Sequence, residues 1–155
     1  MQQFRTQEET YDRCISEGKI LPRENVELDK AKANLQIAEE DLASAEEILQ
    51  KKRWNSAYKM YYDALHGLVE AYLSFDKVKS MNHQCLFVYL CEKHPELELD
   101  WGFFEKVRTK RNGIHYYGTL VAEDDWKAIN VQFKLYINVL KKALEQRIKD
   151  FEDSM

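Results

Sequence analysis

Between Asn55 and Phe75 apolar side chains occupy most of a helical circumference, through Ala57, Tyr58, Met60, Tyr61, Ala64, Leu65, Leu68, Val69, Tyr72 and Leu73. A segment apolar on nearly every side predicts a central, buried helix. Its one polar stripe, Lys59, Asp63, His66 and Glu70, is spaced three to four residues apart and so faces either solvent or a polar cavity. From about 25 to 52 the pattern is narrower. Leu28, Leu35, Leu42 and Leu49 recur every seven residues with Ala31, Ala38 and Ala45 between them, so the small positions let a neighbouring helix approach closely. Glu39, Glu40, Asp41, Glu46 and Glu47 keep the other face in water.

The remaining segments read as further helices. Residues 4–17 predict a short helix with Phe4, Tyr11 and Ile15 on one side, closed by Gly18 before Pro22 blocks continuation. After a polar connection at 76–80, a helix over about 81–93 carries Leu86, Phe87, Tyr89 and Leu90 and stops before Pro95. Asp100 is the expected N-cap, its carboxylate accepting an orphan amide, of a helix running from Trp101 towards His115. The last, over about 123–152, repeats Trp126, Ile129, Phe133, Ile137, Leu140, Leu144 and Ile148, with Glu123, Asp124 and Asp125 at the end where the helix dipole favours anions. No run alternates with period two, so no strand is predicted. The expected fold is all-α, an antiparallel up-and-down bundle of four to five helices over 25–155, with residues 1–24 as a short helical extension.

Length agrees with one domain. A chain of 155 residues, 45% apolar with 5 Gly and 2 Pro, can bury roughly 68–70% of its unfolded surface and needs no disulfide or metal staple. Cys14, Cys85 and Cys91 form no CxxC pair and are too few for a secreted framework, so they read as buried thiols in a reducing cytoplasm. The N-terminus shows no signal pattern, and the longest apolar run, Cys85 to Cys91, falls far short of the roughly 20 residues a membrane helix needs. A soluble, cytoplasmic protein without membrane association is expected. His66, His83, His94 and His115 are scattered without zinc spacing, so no metal is expected, and His83 reads as a capping or packing residue. No glycine-rich phosphate loop, GxSxG elbow or dinucleotide fingerprint occurs, and no cofactor is expected. The tyrosines of the central helix, Tyr58, Tyr61, Tyr62 and Tyr72, are assigned to core or dimer packing rather than base stacking.

Charge singles out one segment. Although the net charge is −4, Lys106, Arg108, Lys110 and Arg111 place four cations in six residues with no acid among them, a local anion site. On a helical wheel Arg108, Arg111, Asn112 and His115 share one face while Phe103, Val107 and Ile114 cluster on another. Guanidinium forks bind phosphate oxygens, and histidine titrates near neutrality, so the set can hold a phosphate and move a proton during attack on or departure from phosphorus. The competing account is that cations collect near a helix C-terminus for dipole reasons, with Gly113 ending the helix before His115.

The residues from Ser56 to Leu73, then His83, then Phe103 to Gly118 with its RTKRNGIHYYG core, resemble the HEPN domains of archaea and bacteria, over most of the span from Val26 to Asp150. The resemblance implies an up-and-down helical bundle, a homodimer whose two Arg–polar–His motifs face each other, and either of two activities. One is metal-independent endoribonuclease action, often in toxin–antitoxin-like modules. The other is nucleotide binding as the partner of a minimal nucleotidyltransferase. The family motif is an arginine, often followed by Asn, Asp or His, with four to six residues before a histidine. Arg108 has that spacing to His115 but is followed by Thr109, whereas Arg111 is followed by Asn112 but stands only three residues before His115. Either the two arginines share the role or catalysis has decayed.

On this resemblance His115 moves the proton, Arg108 or Arg111 stabilises the phosphorane, and Asn112 with Lys110 positions an RNA or nucleotide phosphate. Asp63 and His66 line the same cleft. Tyr117, two residues after the histidine, matches a position that a partner nucleotidyltransferase adenylylates in some relatives. A different class of function, a coiled-coil adaptor driven by the Leu28 to Leu49 heptads, also fits that segment.

Overall fold

The computed structural model describes residues 5–155. Among them the chain forms six helices: α1 Gln7–Ser16, α2 Leu28–Gln50, α3 Trp54–Ser74, α4 His83–Lys93, α5 Trp101–Tyr117 and α6 Glu123–Asp153. The fold is the all-α bundle that the hydrophobic periodicity predicts. α3 is its axis, and α2, α4, α5 and α6 all pack on it. Tyr58, Tyr62, Leu65, Leu68 and Leu73 are fully buried there, as expected of a helix apolar on most sides.

α2 and α3 form an antiparallel hairpin through the short connection Lys51–Arg53, in which Lys52 takes a left-handed backbone (φ 59°). The alanine seam makes the contact. Ala31, Ala38 and Ala45 are buried, while the leucines between them are half-buried around the rim. Small side chains bring the two backbones close, so the heptad pattern serves an internal helix pair. α6 runs alongside α3 in the same sense, since Tyr61 meets Trp126 near the start of both and Phe75 meets Phe151 near their ends. α5 is antiparallel to α6, with Phe103 against Tyr136 at one end and Lys110 near Asp125 at the other.

Four sequence expectations are corrected. Two strands of two residues, β1 Leu21–Pro22 and β2 Val78–Lys79, pair antiparallel where none was predicted, because two residues are too few to show an alternation. In α1, Thr10 and Cys14 face inward and Ile15 faces out, so the apolar side expected through Tyr11 and Ile15 is not the buried one; Phe4 lies outside the described residues. Asp100 occupies the N-cap of α5, but its carboxylate makes no capping bond; its backbone N–H instead donates to the Tyr136 hydroxyl at 2.8 Å. Finally, Cys14 and Cys85 form a disulfide, and Cys91 alone is a buried thiol.

That disulfide changes the status of the N-terminal extension. It ties α1 to α4 beside Val88, and Arg13 and Gln7 add hydrogen bonds to Gln84 and Glu92. By the chain-entropy account, linking residues separated by 71 positions stabilises the fold by about 4 kcal/mol. Among the described residues no helix is long and apolar enough to cross a membrane.

Candidate functional site

The site begins with the continuity of α5. Gly113 lies inside the helix, which ends four residues beyond it at Tyr117 and is capped by Gly118, whose left-handed backbone (φ 63°) lets the Thr119 N–H reach back to the Gly113 carbonyl at 3.0 Å. Gly118, not Gly113, is the terminator. Arg108, Arg111, Asn112 and His115 therefore share one unbroken helix, buried on its other side through Phe103 and Val107.

The structure divides these residues between two flanks. On one, Arg111 reaches α3: its Nη2 stands 3.9 Å from Asp63 Oδ1 and its guanidinium lies over the Tyr62 ring, 5.4 Å from the centroid. His66 of α3 stacks on His83, the first residue of α4, with ring centroids 3.9 Å apart. Tyr62 completes the group through a 2.8 Å hydrogen bond between its hydroxyl and His83 Nδ1. Burial, then the neighbouring His83 and Arg111, push the His66 pKa down to about 3. His83 is lowered as well, by burial and then by Arg111 and Arg108. Burial raises the pKa of Tyr62, so its hydroxyl stays protonated.

On the other flank an open groove of about 1610 Å³ runs along α5 between α1 and the start of α6. Lys106, Thr109, Lys110, Asn112, Tyr116 and Tyr117 line its α5 wall, facing Arg13 and Asp125. Arg108 borders both flanks. It is held by Glu105, Nε to Oε1 at 2.9 Å and Nη2 to Oε2 at 3.0 Å, and Lys110 pairs with Asp125 at 3.5 Å. The four cations that look unopposed in the sequence are thus largely paired by acids, one from the preceding turn and others brought by folding.

Asp63, His66 and Arg111 therefore converge. Lys110, Asn112 and Tyr117 share the groove, and His115 stands exposed in the last turn of α5 beside Tyr116. Among the described residues His115 makes no hydrogen bond to Arg108 or Arg111. His83 and Tyr62 are the participants that sequence reading assigned to capping and packing. His83 stood among the residues that carry the family resemblance and near the start of a helix after a polar connection, but neither says which side chains of α3 it meets. Among the described residues no three His, Cys, Asp or Glu side chains are grouped to hold a metal ion.

No protein-family model matches this chain, and no curated protein matches it at a significant level.

Proposed function

We propose that this is a HEPN-type homodimer acting in the cytoplasm as a metal-independent endoribonuclease of a toxin–antitoxin-like module. The observation that carries the reading is the passage of α5 through Gly113, which keeps Arg108, Arg111, Asn112 and His115 on one helix. The chemistry is transesterification. The RNA 2′-oxygen bonds to phosphorus while the bond to the 5′-oxygen breaks, one proton leaves the 2′-hydroxyl and one reaches the departing 5′-oxygen. His115 moves a proton in that exchange, the arginines hold the phosphorane charge, and Asn112 and Lys110 position the phosphate.

Each chain contributes one such histidine, so the reading pairs two copies across a two-fold axis. Exposed Tyr116 and Leu120 beyond the motif, and Val131 and Leu135 on α6, supply apolar surface for that pairing. The cytoplasmic location goes with the family resemblance and not with the cysteines, since the Cys14–Cys85 bond removes the argument from free thiols. A second reading, a nucleotide-binding partner of a minimal nucleotidyltransferase, is favoured by Tyr117, whose ring is 83% exposed at the end of α5 and open to modification.

The test is cleavage of end-labelled RNA in EDTA by the protein and by His115→Ala. Fragments ending in 2′,3′-cyclic phosphate, made by the parent and lost in the variant, are expected. No cleavage, or equal cleavage by both, overturns the ribonuclease reading and leaves the nucleotidyltransferase partnership.

A further inference from the structure

We propose that Arg111, His66 and His83 form an oxyanion site within a single chain, at the seam of α3, α4 and α5, that binds a phosphate group. The pocket uses neither His115 nor a second copy, so a chain unable to cut RNA still has it.

The first argument is unmet hydrogen bonding. His66 Nε2 and Arg111 Nε are both shielded from solvent and neither has a hydrogen-bond partner. A buried polar atom left without a partner costs about 1–3 kcal/mol, and two such atoms on adjacent side chains at one seam call for a shared acceptor. A phosphate carries enough oxygens to accept from both. Arg111 is poorly matched inside the protein, since its acid partner Asp63 is mostly exposed and 3.9 Å away. Arg147, by contrast, makes two hydrogen bonds of 2.8 and 3.0 Å.

The second argument concerns protons on the rings. The Tyr62 hydroxyl and His83 Nδ1 share a hydrogen bond of 2.8 Å, and with the phenol as its donor neutral His83 carries its proton on Nε2 and donates from there. On His66, Nδ1 lies 3.8 Å from the Glu70 carboxylate. That distance is too long for a hydrogen bond, so nothing holds the ring's proton on Nδ1, and in the Nε2–H tautomer the neutral ring donates into the seam. A bound dianion also favours a second proton, on Nδ1, with Glu70 on the far side of the ring. The stack at 3.9 Å discourages a charge on both rings, so one proton enters per pair. The charged and titratable groups facing the pair are Tyr62, Asp63 and Glu70 from α3 and Glu105, Arg108 and Arg111 from α5, with Asp41 of α2 near Asp63. Arg108 commits Nε and Nη2 to Glu105, whereas Arg111 stands 3.9 Å from its acid partner and has the more open fork. Because His83 opens α4, the amide dipoles of that helix add positive potential at the same place.

The four histidines make a site-resolved test. Their ring resonances are followed by NMR in the whole protein while inorganic phosphate, and separately a nucleoside 3′-monophosphate, is added at constant ionic strength. Saturable movement of His66 and His83, with His94 and His115 still, is expected. Arg111→Gln weakens the response about tenfold, the loss of one charge-assisted hydrogen bond. Asp63→Asn, a surface change that spares the fold, removes the competing carboxylate and strengthens it. A nucleotide response tighter than that of phosphate assigns a nucleotide as the source of the group, whereas equal responses assign free phosphate. Movement of His115 alone, or of no histidine, overturns the pocket, and does so independently of whether RNA is cleaved.

Discussion

Two histidine clusters lie along α3, built from the same residue types and finished differently. Near the C-terminal end of α3, His94 is bonded at both nitrogens, Nε2 to Asp76 at 2.5 Å and Nδ1 to Glu96 at 2.9 Å. Arg147 there donates to Asp76 and to the Tyr72 carbonyl while lying 3.8 Å above the Tyr72 ring. Nearer its N-terminal end, His66, His83, Arg111 and Tyr62 repeat the cast, yet two of their buried nitrogens have no partner. Folding alone satisfies the first cluster. The second is left incomplete, and incompleteness of that kind marks a place where a ligand finishes what the fold does not.

The comparison breaks most directly at Asp76. Burial opposes its ionisation, but hydrogen bonds from His94 and Arg147 outweigh that and its pKa is lowered. Asp76→Ala removes the carboxylate that His94 and Arg147 share, leaving His94 its bond to Glu96 and Arg147 its bond to the Tyr72 carbonyl. Hydrogen bonds to charged groups contribute about 1.5–3 kcal/mol each, so the variant is expected to lose about 2–3 kcal/mol in urea unfolding. A loss under about 0.5 kcal/mol, the range of an ordinary surface change, would mean that this cluster is not the structural one.

Both clusters were only half legible in the sequence. The helices were readable because each buries a face wide enough to leave a period: α3 through its apolar circumference and α2 through Ala31, Ala38 and Ala45. Gly18 and Pro95 carry their stop signals locally. Pairings between helices are not local, so Cys14 with Cys85, His83 with His66, and Asp76 with both His94 and Arg147 left no trace in spacing. The site on α5 was legible as a wheel, since Arg108, Arg111 and His115 lie on one helix. Its division into an α3 flank and a groove depends on which neighbours dock there, and that is set by packing.

pH profiles sharpen the contrast, with about 1 kcal/mol at stake for His94, the scale of one hydrogen bond. His94 has a raised pKa, chiefly through its bond to Asp76. Its contribution is full below the unfolded value of about 6.5 and is lost as pH rises through the folded value. His66 runs the other way. Its pKa falls to about 3 in the folded protein, so between about 6.5 and 3 the unfolded chain takes up a proton that the folded one refuses. Stability contributed by this ring's neutrality is present above about 6.5 and lost as pH falls. Unfolding free energies at several pH values should show the deficit of His94→Gln shrinking as the solution becomes alkaline. His66→Gln should gain on the parent as it becomes acidic. Parallel profiles for the two variants would erase the distinction between the clusters.

The smallest effect is the most discriminating, because it compares two arginines that both lie over tyrosine rings. Arg147→Gln forfeits two hydrogen bonds and a close cation–π contact, and belongs with Asp76→Ala among the damaging changes. Arg111→Gln gives up a distant ion pair and a looser ring contact, but also relieves a guanidinium nitrogen that has no partner. Cation–π contacts at partly exposed sites contribute about 0.5–1 kcal/mol, comparable with what that relief returns, so the net change in unfolding free energy is expected to stay within about 0.5 kcal/mol. The same substitution removes a cation that depresses both rings, so the pKa values of His66 and His83 should rise together. Near-unchanged stability combined with rising imidazole pKa values is what a binding group held only by a long ion pair and a loose ring contact produces. A large loss of stability would instead place Arg111 beside Arg147, as part of the scaffold.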